Sequence, residues 1–321
     1  MRRLLLTALL LLPAPALAGG QEGPPPAAPR TAATAPVLRL TAPVGTTVNL
    51  VTETVSRTEL ESVEVQGDDA AEVEAAVREG LGGAGTQRAS GQASTRVQSR
   101  GADGSVVLQD TVLVPLPDGR EVTLRVVQTL HPDGRRTGLR FEADDPTLQQ
   151  VFAGLNAEQF QQQLAANDPT NNLYGFPLVP GQSRTATATV DAQALLTGLF
   201  SGLIGAGAAD VPAVQASPMT ARTTTTYRGL NAARQHVFES SSTFAPWSFQ
   251  FGNGADGPEF RAELLSQGSH SATTTLFRAD GLTAGGTQRQ TLRMRVTTTG
   301  PDGEAMRVTF RVTTEATVRA R

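Results

Sequence analysis

Asp-Gly pairs punctuate the first half of this chain at a fixed interval. Asp103-Gly104, Asp118-Gly119 and Asp133-Gly134 each fall fifteen residues after the last, and Pro precedes two of them. Another Pro-Asp-Gly stands at Pro301, and further Asp-Gly pairs at Asp256 and Asp280. Pro sets φ near −65° at the first corner of a turn, and Gly accepts the positive φ that follows. Between the turns the chain alternates. In "REVTLRVVQTLH", Val122, Leu124, Val126 and Leu130 take one side, and Thr123, Arg125, Val127 and Thr129 the other. Period two between turns spaced in this way means antiparallel hairpins with one wet face, in strands of roughly ten residues. Thr95 to Glu142 therefore reads as a four-stranded meander.

Three segments break the period. "GDDAAEVEAAVREGLGG" reads as a helix capped at Asp69, with Glu72 completing a capping box and Val73, Val77 and Leu81 in one stripe. "DDPTLQQVFAGLNAEQFQQQLAAND" starts a second helix at Pro146, carrying Leu148, Val151, Phe152 and Leu155, and restarts near Asn156 with Phe160 and Leu164. The third, "DAQALLTGLFSGLIGAGAAD", has eighteen uncharged residues between Asp191 and Asp210. Leu195, Leu199 and Leu203 make one i+4 row, and Leu196, Phe200 and Ile204 the next. At about 1.5 Å per residue the run reaches roughly 27 Å, barely a bilayer core, and its glycines weaken insertion. It reads as a helix buried against the sheet; a mobile apolar flap is the alternative.

The N-terminus has the layout of a secretory leader. Arg2 and Arg3 precede the apolar Leu4 to Leu12 and an Ala16-Leu17-Ala18 cleavage motif, so residues 1–18 are expected to be removed and the mature protein exported to the periplasm or beyond. Residues 19–36 are a Pro/Ala-rich tether. Residues 37–168 and 169–321 then read as two β-meander halves of similar plan, with "PVGTTVNL" and "VPGQSRTA" at equivalent starting places.

All 27 basic residues are arginine and cysteine is absent. Their absence removes the P-loop lysine, Schiff-base chemistry, thiol catalysis, disulfides and thiolate metal sites. Losing Arg2 and Arg3 leaves 25 arginines against 30 acids, a balance that argues against nucleic-acid partners. His131, His236 and His270 show no metal-binding spacing, and no G-x-S-x-G elbow supports a Ser-His-Asp hydrolase. No cofactor is implied. Gly252 to Gly257 form a G-x-G-x-x-G, but the β-rich surroundings make it a hairpin loop.

The stretch "FPLVPGQSR" resembles a set of exported bacterial proteins of unknown function. The order of strand, helix and long meander is similar to the lipoprotein-carrier superfamily, which implies a curved, unclosed half-barrel wrapped around helices and an apolar cavity. The fold class expected is thus α+β, β-dominated, with helices on the concave face. Trp247, Phe249 and Phe251 fall on one face of an extended segment and form either core or a pocket wall. Two non-enzymatic readings follow. In the first, an apolar or lipid-like ligand lies between the sheet and the helix bearing Leu195, Leu199, Phe200, Leu203 and Ile204, against Trp247, Phe249 and Phe251. In the second, the same residues form the solid core of a structural or interaction protein of the cell envelope.

Overall fold

The computed structural model describes residues 35–67, 70–82, 85–115, 121–146, 149, 173–193, 213–252, 259–300 and 304–321. Among these residues thirteen strands make one curved, unclosed antiparallel sheet. The first half contributes β1 (Thr47–Val65), β2 (Thr86–Arg100), β3 (Val106–Pro115), β4 (Glu121–Leu130) and β5 (Arg136–Ala143). The second contributes β6 (Ser183–Val190), β7 (Ala213–Ala216), β8 (Met219–Leu230), β9 (His236–Phe244), β10 (Trp247–Gly252), β11 (Glu259–Phe277), β12 (Thr283–Thr299) and β13 (Ala305–Ala320). The order across the sheet is β5-β4-β3-β2-β1-β13-β12-β11-β9-β8-β6, with β10 and β7 branching beside β11. The first and last strands pair at its centre, so both halves share one ladder. The two edges, β5 and β6, are consecutive in sequence.

The expected meander from Thr95 to Glu142 is present as β2 to β5, with β2 beginning earlier, at Thr86. Four hairpins use one turn, Gly101–Ser105, His131–Arg135, Asn231–Gln235 and Arg278–Leu282. In each, the first N–H donates to the fifth carbonyl and the fourth N–H to the first carbonyl, the three-residue hairpin loop ending in a G1 bulge. The fourth position has positive φ in Gly104, Gly134, Gly281 and, without glycine, Arg234 at 58°. Val127, on the nominally wet side, is nevertheless buried, and β5 carries a bulge opposite it, between its pairings with Val127 and Thr129.

The similar starts of the two halves recur as geometry. Gly45 N–H donates to Val97 O and Val97 N–H to Thr46 O; Gly181 N–H donates to Tyr227 O and Tyr227 N–H to Gln182 O. Gly45 and Gly181 have φ of 87° and 86°. One residue beyond Val97 and Tyr227, each partner strand slips register by a bulge.

The helix α1 (Ala70–Gly82) forms where the stripe places it, and it packs on β1. From Thr58 to Val65, β1 extends past β2 and pairs with β13 alone. Thirteen residues of helix return about 20 Å toward β2 alongside this overhang. Most of α1 is exposed, Val73 included, so this helix adds little to the core. The second helix is described at Pro146 and at Gln149, whose N–H donates to Asp145 O at 2.9 Å. Its expected apolar residues, and the segment beyond Ala192–Gln193 expected as a third helix, lie outside the described residues, as do residues 1–34, which hold the expected leader and most of the expected tether.

The main core lies at one end of the sheet, where two extended segments cross it. Residues 36–46 and 173–178 pair through Leu38 N–H to Phe176 O, Gly175 N–H to Leu38 O and Leu178 N–H to Pro36 O. They bury Leu38, Leu40, Leu173, Tyr174 and Phe176 against Val97, Leu108, Leu130, Tyr227, Phe238 and Phe277. Phe238 meets Phe176 and Phe277 edge-on, with centroids 5.4 and 5.7 Å apart, the arrangement their quadrupoles favour. A Cβ on Gly281 would collide with the Arg39 carbonyl oxygen, so glycine is what lets the first segment pass over the β11–β12 turn.

Candidate functional site

The register sorts every residue of the central strands onto two faces, because directly opposed residues point the same way. The outer face is charged. There Glu61 joins Arg293 and Arg311 at 2.5 and 2.6 Å, and Arg289 faces Glu315 at 3.6 Å. A groove of about 540 Å³ crosses this face among Thr226, Arg228, Glu239, Thr274, Arg289 and Glu315.

Beyond the main core the inner face has two zones along the strands. Nearest the main core comes a hydroxyl band, built on Thr223–Ser242–Ser271–Gln290–Thr314–Ser56 and Thr225–Ser240–Thr273–Gln288–Ala316–Thr54. Thr223 and Ser242 are buried and bond each other at 2.7 Å; Thr225 and Ser240 do so at 2.8 Å. This satisfies hydroxyls that burial would otherwise penalise. A buried hydroxyl band was not expected from the sequence, where Thr and Arg together read as the wet face.

Farther along, the face turns apolar in three consecutive rows: Trp247–Leu264–Met294–Phe310–Leu60, Phe249–Ala262–Val296–Val308–Val63 and Phe251–Phe260–Thr298–Met306–Val65. At inter-strand spacing each row spans roughly 19 Å. The expectation that Trp247, Phe249 and Phe251 share a face holds, and Phe260, which the sequence reading missed, joins them. Phe251 stacks on Phe260 with centroids 4.6 Å apart, Phe249 lies 5.8 Å from Phe260, and Trp247 lies 5.2 Å from Phe249. Phe260 could have been found from the hairpin: antiparallel pairing of β10 with β11 sets it opposite Phe251.

Two prolines aim this patch. The register of β8 on β9 continues without slip into that of β7 on β10, from Ala221↔Phe244 to Ala216↔Phe249. Pro218 and Pro246 interrupt the two strands at the same level, since neither has an N–H for the ladder. Ser217 and Ser248 hold the corner, with Ser217 N–H donating to Ser248 O and Ser248 N–H to Ser217 Oγ, both at 2.9 Å. Across this corner the side-chain parity of the β9–β10 strand changes, so Phe244 and Trp247 both point inward. Trp247 accordingly packs in both the apolar cluster of Phe244 and Leu264 and that of Phe249 and Ala262.

No known protein family matches the chain, and no curated protein does. A solved structure described as "Asymmetric conductivity of engineered proteins" aligns at 9% identity over 84% of this chain and 99% of that one, with a TM-score of 0.21. So slight a likeness does not bear on function.

The remaining candidates occupy structural places. His131 Nε2 bonds Thr137 Oγ1 at 2.9 Å, His236 Nδ1 meets the Tyr227 hydroxyl at 2.9 Å, and His270 is exposed in β11. Among the described residues no three His, Asp or Glu side chains are grouped to hold a metal. Leu195, Leu199, Phe200, Leu203 and Ile204 lie outside the described residues, as do Asn253 to Gly257. No helix among the described residues is long and apolar enough to cross a membrane.

Proposed function

We propose that this is an exported binding protein of the cell envelope that carries an apolar, lipid-like molecule on the inner face of its sheet. It acts by binding, without catalysis. The observation that carries this reading is the continuous aromatic surface of Trp247, Phe249, Phe251 and Phe260, set in three apolar rows beside a hydroxyl band. Apolar molecules are held by such walls through area removed from water, at roughly 25 cal/mol per Å². The hydroxyl band would receive the polar end.

A titration of Trp247 emission tests it. Fatty acids or extracted envelope lipids should produce a saturable blue shift, weakened in Phe251→Ala and Phe260→Ala variants that retain their β circular dichroism. The rival is an envelope protein with a solid core, in which those rings fill one another; the burial of Phe249, 8% exposed, favours it. Emission unmoved by ligand at high micromolar concentration would decide for the rival.

A further inference from the structure

Trp247 Nε1 is buried and has no hydrogen-bond acceptor among the described residues. A buried indole N–H normally finds a partner, because leaving it unpaired forfeits its hydration. Here the orphan donor belongs to the ring that joins the two apolar clusters of the inner face. It stands beside the corner at Pro246, where the hydroxyl band gives way to the aromatic rows.

From this we infer that Trp247 is a specificity determinant that donates its indole N–H to an uncharged acceptor oxygen of the ligand. The inference rests on the binding reading above and deepens it by naming the ligand class: an apolar chain or ring system bearing one ketone, ester or amide carbonyl. Two features of the surface select that class. A pure hydrocarbon fills the apolar rows but leaves the donor unpaired. An anionic head meets no cation there, since the fifteen positions of the three rows hold only apolar residues and Thr298. A buried carboxylate facing a single neutral donor is costly. A carbonyl oxygen satisfies the N–H and brings no charge.

The chain contains one tryptophan, so a ¹⁵N-labelled sample gives one indole N–H signal that needs no assignment. Dodecane, 2-dodecanone and dodecanoate serve as probes matched in chain length. The ketone should bind about five-fold tighter than the hydrocarbon, the value of one ordinary hydrogen bond, and should move the indole proton downfield. Dodecanoate should gain nothing over dodecane. Trp247→Phe, which keeps an aromatic ring and removes the donor, should bring the ketone down to the hydrocarbon's affinity. Equal binding of ketone and hydrocarbon with an unmoved indole signal overturns the donor assignment and leaves the binding reading standing. Tightest binding by dodecanoate also overturns it, because it requires a cation in the site. Failure of all three probes to bind removes the binding reading itself, and the donor's role with it.

Discussion

The hydroxyl of Tyr227 meets Nδ1 of His236 at 2.9 Å, joining two neighbouring strands at the edge of the main core. Burial disfavours the charged form of each, lowering the pKa of His236 from its ordinary 6.5 and raising that of Tyr227. For His236 the folded pKa lies below the unfolded one, so the unfolded chain binds more protons as the pH falls. Its stabilising contribution is complete above the unfolded value and is lost as the pH drops through 6.5 toward the folded value.

Urea unfolding at pH 7.5 and 5.5 should show lower stability at the acidic pH, and His236→Gln should shrink that difference. Tyr227→Phe leaves Nδ1 without its partner and should cost about 1–3 kcal/mol at neutral pH. A pH dependence identical in the parent and in His236→Gln would contradict this account.

Turn positions with positive φ predict substitutions of opposite sign. Gly281→Ala puts a side chain at φ 83° and against the Arg39 carbonyl, whereas Gly45 at φ 87° has open space around its Cα. Gly45→Ala should cost about 1 kcal/mol for conformation alone, and Gly281→Ala clearly more. Arg234 occupies the equivalent left-handed position without being glycine. Arg234→Gly should stabilise by roughly 0.5 kcal/mol, the relief of αL strain less the entropy glycine adds to the unfolded chain. Thermal melts of the three variants check the ranking.

Arg100 ties the N-terminal segment to β2, with its guanidinium donating to Leu40 O at 3.0 Å and to Ala42 O at 2.6 Å. Arg100→Ala should cost about 1 kcal/mol, a charge-assisted bond discounted for exposure. Hydrogen exchange at Thr41 and Ala42, whose N–H groups bond Asp280 O, should accelerate while exchange at the β12–β13 ladder stays unchanged.

On the outer face Glu61 accepts from both Arg293 and Arg311, and its side chain is only 20% exposed. Glu61→Gln should destabilise by about 1 kcal/mol, above the usual value of an isolated surface pair because one carboxylate serves two guanidinium groups. Raising the salt concentration should narrow the difference between parent and variant only partly, since half-buried pairs are incompletely screened.

Phe251 and Phe260 illustrate what was readable in the site and what was not. Alternation places Trp247, Phe249 and Phe251 on one face, a local property of extended backbone. That Phe260 stacks on Phe251 depends on the pairing of β10 with β11, and that Val296, Val308 and Val63 extend the patch depends on strands far away in sequence.

Local chemistry alone determined the hairpins of the first half. Asp-Gly and Pro-Asp-Gly fix turns within four residues, and period two between them specifies strands. The turn at Asn231–Gln235 has the same geometry without an Asp-Gly signal, held by Asn231 Oδ1 accepting from Gln235 N–H. Only the tertiary structure decided that β1 pairs β13 and leaves β5 and β6 as edges, for partner choice between strands of like pattern is set by the whole ladder. It also decided which Thr residues are buried. Thr223 and Thr224 read alike in "TTTT", yet one faces Ser242 inside and the other the outer groove, a parity that the continuous register of the sheet imposes.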